Sequence, residues 1–297
     1  MSEFDARRDA VPHESGVIVV DYRDPNAPAL FTESLRRTGF GVLTNHPIPQ
    51  PLVEQIYKEW LGFFDGEDKH KYLVSEKHDG YFPPSQAETA KTGKKRDLKE
   101  YYHLYSWGRY PDEVSDAARR YFDIAKGLAD ELLQWVDDNS PEEVRAKFSM
   151  PLPEMMKDSE GTLFRILRYP PLTGEEDPDA LRAAAHEDIN LLTILPAANE
   201  RGLQLLNGEG EWVDVPFDFG MLVINVGDML QEASGGYYSS TTHRVINPTG
   251  ESRFRSRVSI PLFLQPRPDV VLSERYTAGS YLGERLRELA RNDKKGM

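Results

Sequence analysis

Apolar residues recur three or four positions apart in several stretches of the first 160 residues. This spacing is typical of helices that bury one face and expose the other. It predicts helices over residues 28–38, 51–64, 112–137 and 141–148. Between these stretches, short runs rich in β-branched and aromatic residues predict strands over residues 16–20, 40–43 and 97–105.

The pattern changes after Gly161, where short apolar runs are separated by Gly, Pro, Asn and Asp. Successive short strands of this kind favour an antiparallel jelly-roll or barrel. The expected strands cover residues 162–169, 191–195, 203–206, 212–215, 221–225, 241–246 and 257–264, and a last helix covers 279–291. We therefore expect a mainly β fold with flanking helices. Residues 1–160 would form a supporting region with a helical character, and residues 161–297 a jelly-roll core, in one compact unit.

Composition narrows the possible functions. The chain has 297 residues, 39% of them hydrophobic, with no cysteine and a formal net charge of −13. The lack of cysteine excludes disulfides, iron–sulfur clusters and cysteine nucleophiles. The negative charge argues against a nucleic-acid partner, because phosphate binding needs a basic surface. No apolar run is long enough to span a membrane, and residues 1–9 lack the apolar region of a secretory signal. We expect a cytoplasmic protein that is a monomer or a weak homodimer.

Candidate metal ligands lie in the core half. His186 and Asp188 are two residues apart, so on a strand or its frayed end they present side chains to the same face. His243 follows much later, far enough along the chain to return on another strand. Two histidines and one carboxylate on one side of an ion are the ligand set of non-haem Fe(II) oxygenases. A His-x-Asp pair alone is also common by chance. The β-rich runs that surround these residues favour the metal site.

A second constellation follows on the strand expected at 257–264. Arg257 and Ser259 share one face of that strand by the same period-two rule. A guanidinium matches a carboxylate with two parallel hydrogen bonds, and a neighbouring hydroxyl can add a third. Arg253 and Arg255 have the same parity but lie closer to a turn, so we expect them to be solvated. A structural ion pair is the alternative role for Arg257. Beside a metal triad, binding of a carboxylate-bearing cosubstrate is the better interpretation.

Together these motifs resemble those of the isopenicillin N synthase-like Fe(II)/2-oxoglutarate-dependent oxygenases. His186, Asp188 and His243 resemble the metal triad of that family, and Arg257-Val258-Ser259 its Arg-x-Ser motif. The segment 168–171, Arg-Tyr-Pro-Pro, is similar to one whose tyrosine reaches the cosubstrate, which assigns that role to Tyr169. Further upstream, residues 39–48 resemble the family's Gly-Phe-x-x-x-x-Asn-His signature, and residues 97–100 its Asp-Trp-Lys-Glu segment. One departure is Leu167, where plant members often carry Asn.

The resemblance implies a double-stranded β-helix that uses Fe(II), 2-oxoglutarate and O2. The cosubstrate would coordinate the iron, with its distal carboxylate on Arg257, Ser259 and Tyr169. The protein would oxidise, and most simply hydroxylate, an unactivated C–H bond of a small organic substrate, releasing succinate and CO2. Candidate pocket residues for that substrate are Phe164, Arg168 and Phe263. Arg168 would bind an acidic group of the substrate, or would form a structural salt bridge.

Three other functions remain open from the residues. The first is an iron oxidase or oxidative cyclase of the same fold that needs no 2-oxoglutarate, in which Arg257 and Ser259 would hold the substrate's own carboxylate. The second is a metal-dependent hydrolase, although the sequence lacks a His-Glu-x-x-His helix and a Gly-x-Ser-x-Gly turn. The third is a non-catalytic binding domain, which a fold alone never excludes.

Overall fold

The computed structural model describes residues 14–87, 95–177, 179–197 and 201–293. Residues 1–9, on which the expectation of no secretory signal rests, lie outside these ranges. The helices are α1 Ala27–Thr38, α2 Gln50–Asp65, α3 Ala117–Asn139, α4 Glu142–Arg145, α5 Leu152–Met156, α6 Asp228–Ala233 and α7 Ala278–Asp293. The strands are β1 Val19–Asp21, β2 Phe40–Thr44, β3 Gly80–Phe82, β4 Glu100–Leu104, β5 Leu163–Tyr169, β6 Ala183–His186, β7 Leu192–Pro196, β8 Leu203–Leu206, β9 Trp212–Asp214, β10 Leu222–Val226, β11 His243–Val245, β12 Arg257–Ser259 and β13 Leu262–Phe263.

These strands form two facing sheets. The larger has nine strands in the order β1-β2-β10-β7-β13-β5-β4-β3, with β12 also paired to β5. The smaller has four strands in the order β6-β11-β8-β9. All described pairs are antiparallel except β1 with β2. The prediction of a mainly β fold with a jelly-roll core and flanking helices is confirmed.

The larger sheet is covered on both faces, which explains its apolar composition. Its inner face, which is turned towards the smaller sheet, contributes Phe40, Val42, Leu195 and Val223 to an apolar cluster between the two sheets. Its outer face packs against the helices of the first half of the chain in a second and larger cluster. Trp60 of α2, for example, is fully buried and contacts Tyr102 at a ring-centroid distance of 5.1 Å. The side chains between the sheets are therefore shielded from both directions.

Most of the predicted elements are present, with shifted ends. The helix expected at 112–137 begins at Ala117, because the Ser115 hydroxyl accepts a hydrogen bond from the Ala117 N–H and the preceding residues form turns. The strand expected at 257–264 is divided into β12 and β13. The sequence patterns missed β3, α5 and α6, which are short, and gave no bounds for β6, the strand that ends at His186. No helix among the described residues combines the length and the hydropathy that crossing a membrane requires.

The two halves of the chain share the larger sheet. Strands β1 to β4 all belong to the region 1–160, and they flank strands from the region 161–297 in that sheet. The division at residue 160 stays a prediction, while the supporting region contributes strands as well as helices. A sheet built from both regions places Phe40 of the supporting region beside His243.

Gly39 links the N-terminal signature to this site. It ends α1 with a left-handed φ of 72°, a conformation that glycine adopts without strain. A Cβ atom here would lie 2.2 Å from the Thr241 hydroxyl oxygen and 2.6 Å from the Ser239 carbonyl oxygen. The Thr241 hydroxyl in turn donates to the Thr38 carbonyl at 2.8 Å. Any larger residue at position 39 would displace the segment that leads into His243.

Candidate metal centre

The three predicted ligands converge between the sheets. His186 ends β6 and His243 begins β11, and the two residues lie directly opposite each other in the smaller sheet. Asp188 lies two residues beyond β6, and its Oδ1 atom is 3.8 Å from His186 Nε2 and 3.9 Å from His243 Nε2. One donor atom from each residue lies within 4.8 Å of the other two, and no second group of this kind occurs in the described ranges. The residues therefore present three donors to one point.

Backbone carbonyls fix the orientation of both imidazoles. The Nδ1 atom of His186 is 2.8 Å from the Ala184 carbonyl oxygen, and that of His243 is 3.0 Å from the Thr241 carbonyl oxygen. Because a carbonyl only accepts, Nδ1 carries the proton in each ring, and Nε2 has the free lone pair. Such a hydrogen bond to the second nitrogen is the usual support of a metal-bound histidine. Both Nε2 atoms point towards Asp188.

Asp188 is held by two polar residues of the larger sheet. Its Oδ2 atom accepts a hydrogen bond from the Thr193 hydroxyl at 2.5 Å and another from the Asn225 side-chain amide at 2.8 Å. The Thr193 hydroxyl itself accepts from the Asn190 side-chain amide at 2.9 Å. All four residues are buried. Because Oδ2 is engaged in this way, Oδ1 is the oxygen turned towards the imidazoles.

The charges of the site suit a metal ion. Burial alone would raise the pKa of the Asp188 carboxyl, but the imidazoles of His243 and His186 lower it below the usual value. Burial lowers the pKa of His186, and the neighbouring His243 imidazole and the Lys99 ammonium lower it further. At neutral pH the site therefore holds a carboxylate and a neutral His186, the protonation states that metal binding requires. The donor set fits Fe(II), which takes two histidines and one carboxylate on one face.

The three ligands differ in their exposure to solvent. The side chains of Asp188 and His243 are 6% and 9% exposed, whereas that of His186 is 38% exposed. The ring of Phe40 packs edge-on against His243 at a centroid distance of 5.6 Å. His186 is therefore the ligand most accessible from solvent.

Replacing Thr193 with valine is expected to lower the Fe(II) affinity of the protein about 10- to 100-fold, which is the usual effect of losing a residue that orients a metal ligand. The change keeps the side-chain volume and removes the hydroxyl that holds Asp188 Oδ2. Metal affinity is measured by anaerobic titration. The matched control is Thr162→Val, since Thr162 is also buried and its hydroxyl has no hydrogen-bond partner among the described residues. An affinity of the Thr193 variant within threefold of wild type contradicts this role.

The predicted cosubstrate residues share the inner face of the larger sheet. Arg257 lies opposite Tyr169, and Ser259 lies opposite Leu167, so all four side chains are on one face. Arg257 is fully buried, and its guanidinium lies 5.6 Å from the ring centroids of both Tyr169 and Phe217. Phe217 belongs to the apolar cluster between the sheets. A buried guanidinium, a hydroxyl and a phenol are thus on the same side of the sheet as the residues that hold Asp188, and this arrangement fits a dicarboxylate cosubstrate.

Two of the predicted substrate-pocket residues point the other way. Arg168 forms ion pairs with Asp65 of α2 at 2.8 Å and with Glu100 at 3.2 Å. Phe164 is fully buried and stacks on Tyr121 of α3 at 4.9 Å. Because side chains alternate along a strand, residues 164 and 168 face the helices when Tyr169 faces inwards. Arg168 is therefore a structural salt-bridge residue, the alternative that the sequence had left open, and Phe164 is a core residue.

Phe263 lies on the expected face. It is opposite Thr193 of β7 and Leu163 of β5, and its side chain is partly exposed. Its role in substrate binding stays a prediction.

Sequence reasoning missed Thr193 and Asn225, which orient Asp188. Each is a polar residue at an inward position of an otherwise apolar strand, β7 or β10. A buried polar side chain needs a hydrogen-bond partner, so its position in such a run was the available signal. It also missed Arg165, which lies on the inner face with Tyr169 and has its Nε atom 2.9 Å from His103 Nε2.

Comparisons with known proteins agree with this geometry. Residues 161–266 match the model of the 2OG-Fe(II) oxygenase superfamily, where 2OG is 2-oxoglutarate. Residues 21–124 match that of the N-terminal region named for a non-haem dioxygenase in morphine synthesis. Among curated proteins, a flavonol synthase/flavanone 3-hydroxylase from Eustoma exaltatum subsp. russellianum is 26% identical, over 85% of this chain and 77% of that protein. A 2-oxoglutarate-Fe(II) type oxidoreductase from Metarhizium majus is 29% identical, over 86% of this chain and 78% of that protein.

Solved structures extend the match along nearly the whole chain. A protein assigned as an oxygenase from Shewanella oneidensis is 57% identical, with a TM-score of 0.84 over 92% of this chain and 98% of that one. A 2OG-Fe(II) oxygenase family protein from Caulobacter crescentus is 27% identical, with a TM-score of 0.75 over 92% of this chain and 99% of that one.

Proposed function

This chain belongs to the 2OG-Fe(II) oxygenase superfamily and is an oxidoreductase that uses Fe(II), 2-oxoglutarate and O2, and we propose that it hydroxylates an unactivated C–H bond of a small organic substrate. The observation that carries the proposal is the placement of the His186–Asp188–His243 triad and the buried Arg257 between the same two sheets. Family membership leaves no support for the hydrolase or the non-catalytic binding domain. The expectations of a cytoplasmic location, of no nucleic-acid partner and of a monomer or weak homodimer stay predictions.

The triad would hold the iron through His186 Nε2, His243 Nε2 and Asp188 Oδ1. Their Nδ1 and Oδ2 atoms are already engaged with the protein, so the ligands would not need to reorient on binding. When bound, the iron supplies the oxidation chemistry, coupling the conversion of 2-oxoglutarate and O2 into succinate and CO2 to oxidation of the substrate. Three protein ligands on one side leave the opposite side for reactants.

Arg257 and Ser259 would bind the distal carboxylate of 2-oxoglutarate. The planar guanidinium can donate two parallel hydrogen bonds to a carboxylate, and the Ser259 hydroxyl can donate another. Tyr169, directly opposite Arg257, would add its phenol. Because Arg257 has no exposed surface, these bonds would form away from water and would gain strength from the low local dielectric. These hydrogen bonds would fix the position of the cosubstrate relative to the triad.

The apolar cluster between the sheets would keep the site dry. Phe40, Val42, Leu195 and Val223 line the larger sheet beside Asn225 and Thr193, and all four are at most 9% exposed. Exclusion of water protects a reactive site from side reactions. The protein's contribution is thus to bind, orient and shield the reacting groups.

Succinate formation tests the proposal. The purified protein, supplied with Fe(II), 2-oxoglutarate, O2 and ascorbate as the reductant that replaces the organic substrate, is expected to release succinate slowly, and removal of Fe(II) with a chelator should stop it. Mass spectrometry measures the product. Once a substrate is found, one succinate should accompany each substrate molecule that gains an oxygen atom. Substrate oxidation without any consumption of 2-oxoglutarate would instead support the iron oxidase that uses Arg257 and Ser259 to hold its substrate.

A further inference from the structure

Arg165 occupies the inner face of β5 near the opening of the site. It shares this face with Tyr169 and Leu167, but unlike those two buried residues it is partly exposed. The other partly exposed residues on this face include Leu163 and Phe263. These residues, together with the exposed edge of His186, mark where the space between the sheets opens. Arg165 is therefore accessible to a molecule that approaches the triad.

The position of Arg165 defines how far such a molecule must extend. Thr193 of β7 lies directly opposite Phe263 of β13, and Phe263 lies directly opposite Leu163 of β5. Thr193 and Leu163 are thus two strand spacings apart, which corresponds to about 10 Å between their backbones. Arg165 is the next residue after Leu163 whose side chain lies on the same face of β5. Thr193 holds Asp188, so the backbone of Arg165 lies on the order of 12 Å from that of a residue that contacts the triad.

Neighbouring side chains orient the Arg165 guanidinium. Its Nε atom donates to His103 Nε2 at 2.9 Å, while His103 Nδ1 lies 3.1 Å from the His78 carbonyl oxygen. His103 is therefore the neutral tautomer that carries its proton on Nδ1. The Arg165 Cζ atom lies 4.7 Å from the ring centroid of Tyr101 and 5.4 Å from that of Phe263. Because the Nε edge faces His103, the edge with the two terminal nitrogens is the one directed away from this histidine.

A second cation and a set of rings complete this region. The Lys99 Nζ atom lies 5.8 Å from the Tyr101 ring centroid and 2.9 Å from Asp97 Oδ2. Phe82 stacks on Tyr101 at 4.7 Å. We name Lys99, Tyr101, His103, Arg165, Phe82 and Phe263 the cation–aromatic cluster. A chain with a net charge of −13 repels anions as a whole, so an anionic substrate needs local cations of this kind.

Building on the proposed function, we propose that the organic substrate is a small carboxylic acid with an apolar body, whose carboxylate is bound by Arg165. The carboxylate would meet the terminal nitrogens of the guanidinium, the geometry that gives two parallel hydrogen bonds. The apolar body would pack on Phe263 and the rings beside it, with the oxidised carbon towards the triad. Arg165 thus takes the recognition role that the sequence had suggested for Arg168.

Binding of matched acid and amide pairs tests this inference. The probes are 3-phenylpropanoate, 2-naphthoate and hexanoate, each compared with its primary amide, and binding is measured calorimetrically to protein loaded with redox-inactive Zn(II) and saturating 2-oxoglutarate. For wild type, at least one acid should bind 10-fold or more tightly than its amide. Arg165→Gln should reduce this ratio below threefold and leave 2-oxoglutarate binding unchanged. Arg165→Lys, which keeps the charge but loses the planar fork, should give an intermediate ratio.

Arg120→Gln is the control for net charge, because Arg120 lies on α3, is about half exposed and pairs only with Asp116 among the ion pairs of the described residues. It should retain the wild-type ratio. The inference is overturned if every acid binds no better than its amide, or if a folded Arg165→Gln or Arg165→Lys variant keeps the full preference. A failure of the proposed function looks different, since wild-type protein would then neither bind 2-oxoglutarate nor form succinate.

Discussion

Replacing Asp188 with alanine is expected to reduce Fe(II)-dependent succinate formation more than about 100-fold, beyond the 10- to 100-fold typical of changes to residues that only support a ligand. Asp188 is the one anionic ligand of the triad, and its side chain is 6% exposed. Its removal also leaves the Thr193 hydroxyl and the Asn225 amide without the carboxylate that they orient. His186→Ala should have an effect of the same size, because the remaining pair of ligands no longer fixes the ion on one face.

Anaerobic Fe(II) titration and succinate release are measured on the same preparations. The matched controls are Asp214→Ala, which removes an exposed carboxylate on β9, and His70→Ala, which removes a half-exposed imidazole that lies near Glu67. Both controls should keep wild-type metal affinity and turnover. Full turnover by either triad variant would show that the iron is held elsewhere, and the proposed function would lose its main support.

Arg257→Ala is expected to raise the apparent KM for 2-oxoglutarate about 30- to 150-fold. This range corresponds to a loss of about 2–3 kcal/mol for charge-assisted hydrogen bonds. The fully buried guanidinium, placed opposite Tyr169 and beside Ser259 on the strand, has the geometry to bind a carboxylate. Initial rates of succinate formation at varied 2-oxoglutarate provide the KM, and Fe(II) affinity should stay close to wild type.

Two further variants make the interpretation specific. Arg257→Lys keeps a positive charge but lacks the planar guanidinium that donates two parallel hydrogen bonds. Its KM for 2-oxoglutarate should therefore lie between those of wild type and the alanine variant. Arg253→Ala is the control, because Arg253 is exposed and stacks on Phe254 at 4.5 Å. Thermal unfolding of each variant tests whether a cavity at position 257 has destabilised the fold. An unchanged KM in folded Arg257→Ala would mean that another residue binds the cosubstrate.

Local patterns in the sequence determined much of this protein. Helical spacing located α1, α2 and α7 to within a few residues, because each buries one face and exposes the other. Period-two spacing placed Arg257 and Ser259 on one strand face, as observed. The same rule brought His186 and Asp188 to one point, although Asp188 lies just beyond the strand. The chemistry of the ligand set did not depend on knowing the fold.

Only the tertiary structure decided which face of β5 is turned towards the site. Each face of this strand carries one arginine among apolar residues, Arg165 on one face and Arg168 on the other, so alternation along the sequence does not distinguish the faces. For that reason Arg168 was assigned to the pocket, whereas the structure turns it to Asp65 and Glu100 and turns Arg165 inwards. Asn225 acquires its role in the same way, because it is 37 residues from Asp188 along the chain and only the packing of the strands brings its amide to the Oδ2 atom. Thr193 is 5 residues from Asp188 and reaches the same atom where the chain enters β7.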